Sequence, residues 1–125
     1  LAGGVFKQVL IESGVADSVA LRVAMLSLSP LVLAWLIAAL IRVSVGSATV
    51  AALTAAGLVQ SVAMTGSVPA ELMVLAIGAG SLMFSHVNDT GFWMFKEYFN
   101  LTLRQTFLSW TLMETIVFLL GLLGV

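Results

Sequence analysis

Apolar residues run almost without interruption through this chain, and the few breaks in that pattern define its elements. Val23–Ile41 and Val43–Ala70 contain no charged residue, Leu72–Asn88 is uncharged over a slightly shorter length, and Gln105–Val125 is broken only by Glu114. Runs of about 18 or more such residues are candidates to cross a bilayer, because about 20 residues at the helical rise match a hydrocarbon core of roughly 30 Å. The chain therefore reads as an all-α integral membrane protein, multi-pass and lipid-embedded. Ahead of these runs, Val5, Phe6, Val9, Leu10 and Val15 fall at roughly helical spacing among Lys7, Glu12 and Asp17. Residues 1–22 are expected to form an amphipathic segment at the membrane interface or the exposed end of a preceding span.

Residues 23–64 read as a re-entrant hairpin. Ser29 suits the cap of a helix with Pro30 in its first turn, where the missing N–H costs nothing. That leaves about 12 helical residues before Arg42, roughly 18 Å, too short to cross. Arg42–Thr49 is a Ser/Gly/Thr-rich turn, followed by a helix of small residues. The expected arms are Ser29–Ile41 and Thr49–Ala63, and such a tip is tolerated in a membrane only when buried in protein or lining a wet cavity. Ser44, Ser47 and Thr49 offer hydroxyls, Gly46 lets backbone approach a ligand, and the N-terminus of the second arm favours an anion. The same small residues also suit plain helix packing in lipid. Arg42 either snorkels to an interface, the reading favoured by sequence alone, or holds a carboxylate of protein or substrate.

Thr65–Glu71 is a polar turn, and residues 72–99 read as a broken helix. Its first half carries Ala76, Gly78, Gly80 and Ser81, small enough to pack against a neighbour. The break, Ser85–Gly91, holds the only histidine. A helix ending there leaves carbonyls unpaired and one starting near Asp89–Thr90 leaves amides unpaired, so Asn88, Asp89 and Thr90 are candidates to complete a binding pocket. Phe92, Trp93, Phe95, Tyr98 and Phe99 have the composition of an interfacial aromatic belt. Lys96 and Arg104 give the following loop a basic excess, which places it in the cytoplasm. Residues 105–125 form a final span.

Composition narrows the function. The chain of 125 residues is 61% hydrophobic and 9% charged, with a mean hydropathy of +1.15, more apolar than a soluble core requires. A net charge of −1 with five scattered basic residues argues against nucleic acid as a partner. There is no cysteine, hence no thiolate metal site, and His86, Asp89 and Glu114 are too few ligands to make a metal site the favoured reading. Ser85, His86 and Asp89 lack the surroundings of a hydrolytic nucleophile. No enzyme activity and no cofactor is expected. Proton coupling fits better: His86 is of a residue type that can exchange protons under physiological conditions, Asp89 sits in an apolar helix break, and intramembrane ionisable groups mark ion or substrate pathways. Glu114, nearer the basic loop, is expected to reach water or pair with a polar neighbour. The start of the chain lacks both an initiator Met and a secretory pattern and is expected to continue a longer protein.

Several stretches carry a resemblance: Gly80–Ser81, Ser85–Trp93, Phe95–Leu101 and Trp110–Thr115, with Arg42–Ala51 and Ala2–Leu10 upstream. Together they resemble the C-terminal part of the gluconate permease (GntP) family across nearly the whole chain. The resemblance implies a proton symporter for gluconate or a related sugar acid in the bacterial cytoplasmic (inner) membrane. It also implies an ion-transporter-type inverted-repeat fold, of which this chain is one C-terminal repeat facing a missing N-terminal half, with a homo-oligomer among the allowed assemblies. The substrate-binding set would be Ser44, Gly46, Ser47, Thr49, Asn88, Asp89 and Thr90, with the proton on His86 or Asp89. The competing readings are a small self-assembling membrane channel and a non-transporting interaction subunit.

Overall fold

The computed structural model describes residues 9, 12–14, 28–60 and 68–125, and among these the regular structure is entirely helical. The amphipathic segment expected over 1–22 and most of the turn expected over Thr65–Glu71 lie outside the described residues. Five helices follow in order: α1 Pro30–Val45, α2 Ala48–Leu58, α3 Ala70–Gly80, α4 Thr90–Tyr98, and α5, which runs as one helix over Leu103–Leu123. Of these, α5 with its 21 residues is the one long and apolar enough to cross a membrane. By the helical rise, α1 extends for about 24 Å and α2 for about 16 Å.

Local chemistry explains most boundaries. The Ser29 hydroxyl accepts from the Leu31 N–H and Pro30 occupies the first turn of α1, as the sequence indicates. The helix does not stop at Arg42, however. It continues to Val45 and ends where Gly46 turns left-handed at φ 77°, its N–H bonded to the Arg42 carbonyl. A left-handed C-terminal glycine terminates a helix more decisively than a charged residue inside it. Ser47 then caps α2 by accepting from the Val50 N–H. The turn between the arms is thus two residues, Gly46 and Ser47, much tighter than Arg42–Thr49. Ala70 and Glu71 belong to the first turn of α3. Thr102 and Gln105 cap the start of α5 reciprocally, so that helix begins at Leu103, two residues before the expected span 105–125.

The core forms where α1, α2 and α3 meet, through Ala34, Ala38, Ala55, Val59, Met73 and Ile77. Alanines on facing surfaces let the backbones approach closely. Gly80 shows how closely: a Cβ there would fall on the Trp35 carbonyl oxygen and 2.9 Å from the Ala38 Cβ. Gly78, two residues earlier, faces open space. Trp35 in turn stacks on Phe118 of α5 at 4.1 Å between ring centroids and donates its indole N–H to the Phe118 carbonyl at 3.1 Å. Phe92 is fully buried and packs on Phe107, so it is core and not belt, whereas Trp93, Tyr98 and Phe99 are exposed.

The two glycines give a paired prediction. Gly80→Ala should lower the melting temperature of the full-length protein in detergent, since overpacking against backbone costs roughly 1–3 kcal/mol. Gly78→Ala should leave it unchanged or raise it slightly, by the roughly 0.4–1 kcal/mol gained where a Cβ is tolerated. Equal effects at both positions would contradict the close α1–α3 crossing.

Candidate functional site

The hairpin tip and the helix break meet. A Cβ on Gly46 would fall on the carbonyl group of Asn88, and the Asn88 side-chain amide donates to the Val43 carbonyl at 2.9 Å. The chain passes from α3 through turns at residues 81–84 to Ser85, and α4 begins only at Thr90. Phe84 takes a positive φ of 42° within this break.

At the centre lies Arg42, 2% exposed. The snorkelling expected of it does not occur, because it sits one turn before the tip and faces inward to carboxylates from two other segments. Its Nη2 donates to Asp89 Oδ2 at 2.6 Å and to Glu114 Oε2 at 3.3 Å, with the acidic side chains 13% and 12% exposed respectively. Asp89 also caps α4: Oδ1 accepts from the Gly91 N–H at 2.9 Å, while Oδ2 additionally accepts the Ser85 hydroxyl proton. Ser85 is fixed from α5, where the Trp110 indole donates to its hydroxyl at 2.8 Å and the Thr111 hydroxyl donates to its carbonyl at 2.5 Å. Trp110 and Thr111 lie in a π turn, Phe107–Thr111, just before Glu114. A π turn inside an α-helix re-aims side chains and recurs at functional sites.

Arg42 has five N–H donors, and those on Nε and Nη1 are buried with no acceptor among the described residues. A buried charged donor left without a partner is costly. The arrangement can therefore take up an anion's oxygen atoms at this guanidinium.

The expected site residues are distributed as follows. Gly46, Asn88 and Asp89 come together at the tip–break contact. Ser47 is engaged as a helix cap, and Thr49 and Thr90 are exposed in the first turns of α2 and α4. Ser44 lies within α1 and donates to the Leu40 carbonyl at 2.8 Å, so it is not part of the turn. The half-buried His86 holds a ring nitrogen 3.0 Å from the Phe84 carbonyl, and the contact of Asp89 is with Arg42. The N-terminus of α4, expected to offer free amides, is partly occupied by the Asp89 carboxylate. Arg42 and Glu114 stood outside the expected site. Their signal was available: Arg42 separates two long uncharged runs and Glu114 alone breaks Gln105–Val125, and buried charges of opposite sign pair.

The whole chain, residues 1–125, matches the family model described as GntP family permease. The chain belongs to that family. It is 54% identical over 122 residues to a high-affinity gluconate transporter of Escherichia coli (strain K12), which covers 98% of this chain and 28% of that protein. A gluconate permease of Bacillus subtilis (strain 168) is 58% identical over 120 residues, 96% of this chain and 27% of the relative. The Gnt-II system L-idonate transporter of Escherichia coli (strain K12) is 53% identical over 123 residues, 98% of this chain and 28% of the relative. The chain thus spans little more than a quarter of the length of the curated relatives it matches. No solved structure matches it. Relatives of this kind are membrane permeases and not enzymes, in line with the sequence reading.

Proposed function

We propose that this chain is the C-terminal part of a proton-coupled permease for gluconate or a related sugar acid in the bacterial inner membrane. The observation that carries this reading is the buried Arg42, whose Nε and Nη1 lack acceptors among the described residues beside the tip–break contact. A sugar-acid carboxylate is their chemical complement. Asp89 and Glu114 hold the guanidinium from one side and leave those nitrogens to the substrate. Asn88 at the contact, with Ser47, Thr49 and Thr90 in the adjoining first turns and Ser44 in the last turn of α1, offers polar groups suited to the polyol chain, and the glycine at 46 permits the close backbone approach. The proton binds in the ionisable cluster around Arg42 that joins the break to α5. The names of the relatives, gluconate and L-idonate carriers, support the substrate class.

In the bilayer, α1 and α2 form the re-entrant hairpin, α3 and α4 the two halves of the broken helix, and α5 the final span. The remainder of the permease supplies a second, inverted repeat. The broad apolar exterior, with Leu40, Leu53, Val74, Leu75, Leu119 and Leu120 exposed, then faces lipid or that other repeat.

Competition in proteoliposomes of the full-length protein tests the anion site. Unlabelled gluconate should displace labelled gluconate, and the neutral alditol of the same chain length should be at least roughly tenfold weaker, because losing the carboxylate leaves buried donors unsatisfied at about 1–3 kcal/mol each. An alditol that competes as well as the acid would refute the reading.

A further inference from the structure

Two carboxylates share one guanidinium nitrogen, and they are held unequally. Asp89 accepts from Arg42 Nη2, from Ser85 Oγ and from the Gly91 N–H. Among the described residues Glu114 accepts from the same Arg42 Nη2 alone, at the longer distance of 3.3 Å. Ser85 also borders Glu114, but its single hydroxyl proton goes to Asp89. Asp89 is therefore a well-solvated anion built into a helix cap, and Glu114 is the under-solvated member of the pair.

A charge count sharpens the difference. Arg42 contributes +1 and the carboxylates −2. Among the described residues no other cation faces them: α2 contains no titratable residue, the only one on α3 is Glu71 in its first turn, Lys96 of α4 pairs with Glu97 at an exposed site, Arg104 is exposed in the first turn of α5, and the His86 ring lies at the Phe84 carbonyl. A buried carboxylate without its own counter-charge neutralises by taking a proton.

Building on the proton-coupled reading above, we infer that Glu114 is the carboxyl that takes up the coupled proton, while Asp89 remains a permanent anion. The step balances simply. A proton from the medium forms an O–H bond on a Glu114 carboxylate oxygen, and the neutral carboxyl gives up its claim on Arg42. The substrate carboxylate then binds the guanidinium at Nε and Nη1 as the second anion, taking over the charge balance that Glu114 held. The empty deprotonated cluster and the loaded protonated one both carry a net −1. Substrate and deprotonated Glu114 compete for the same cation, so proton uptake and anion binding promote each other reciprocally. Release of the substrate returns the proton on the other side. This assigns the proton to Glu114 in place of the His86 or Asp89 expected from the sequence.

The experiment uses full-length protein in proteoliposomes with gluconate as probe. In Glu114→Gln, gluconate accumulation driven by a pH gradient should collapse to a ratio of about one while gluconate counterflow persists, as expected of a carrier uncoupled from its proton. Its apparent gluconate affinity should be flat with pH where that of the wild type falls up to tenfold per unit as Glu114 deprotonates. Glu114→Asp, which keeps a titratable carboxyl, should recover pH-dependent accumulation. Wild-type accumulation in Glu114→Gln, or an Asp variant as uncoupled as the Gln one, overturns the inference. Should the Gln variant fail to fold, infrared difference spectra of the wild type must show a protonated carboxyl band on gluconate addition, and its absence overturns the inference as well. If the wild type itself accumulates gluconate without regard to the pH gradient, the proton-coupled reading fails instead, a result distinct from each of these.

Discussion

Arg42→Gln is expected to abolish gluconate transport and to lower the melting temperature of the full-length protein more than any other single change considered for this chain. The reason is double. The substitution removes the donors assigned to the substrate, and it strands Asp89 and Glu114, both mostly buried, without their cation. Breaking a buried ion pair by deleting one partner typically costs about 3–5 kcal/mol, because the surviving charge is uncompensated. The two consequences separate in a second variant. Adding Glu114→Gln to Arg42→Gln removes one of the stranded charges and should recover a good part of the melting temperature, since Asp89 keeps Ser85 and the Gly91 N–H. Transport should stay absent, because the anion anchor is gone. A double variant that transports gluconate would remove Arg42 from the substrate site. A single variant with unchanged melting and uptake would remove it from the core as well.

Gly46→Ala should be the next most damaging change. The residue adopts φ 77°, a left-handed conformation that costs a residue with a Cβ roughly 1–2 kcal/mol. The added carbon would also sit 2.7 Å from the Asn88 carbonyl carbon, and that backbone cannot step aside without disturbing the cap of α4 at the next residue, Asp89. We expect both a lower melting temperature and lost gluconate uptake, the second because the tip and the break can no longer seat against each other. A Gly46→Ala protein with wild-type uptake would show that the tip–break contact is dispensable for transport. Gly46→Asn is a useful companion, since asparagine tolerates the left-handed region better. It should relieve the torsional penalty and keep the steric one.

Local chemistry by itself determined where most helices start and stop. Ser29 followed by Pro30 marks the start of α1, Ser47 after Gly46 marks the turn to α2, and Asp89–Thr90 marks the restart after the break. These signals are readable because a cap is settled by residues one to four positions apart. The family likeness was likewise visible in the motif around Ser85–Trp93 and in Arg42–Ala51. Even so, the apolar periodicity could not say that α1 would run through Arg42 to Val45, since an arginine inside a helix and one in a turn look alike until something receives the charge. The tertiary structure alone decided what that something is. Asp89 and Glu114 lie 47 and 72 residues from Arg42 along the chain, and no spacing rule connects residues so far apart. Read singly, Arg42 had a reasonable fate at an interface, Glu114 in water or beside a polar neighbour, and Asp89 as a proton carrier in an apolar break. Only when α1, the break and α5 are packed together do all three become buried at once, and then, among the described residues, the two carboxylates share Arg42 as their counter-charge.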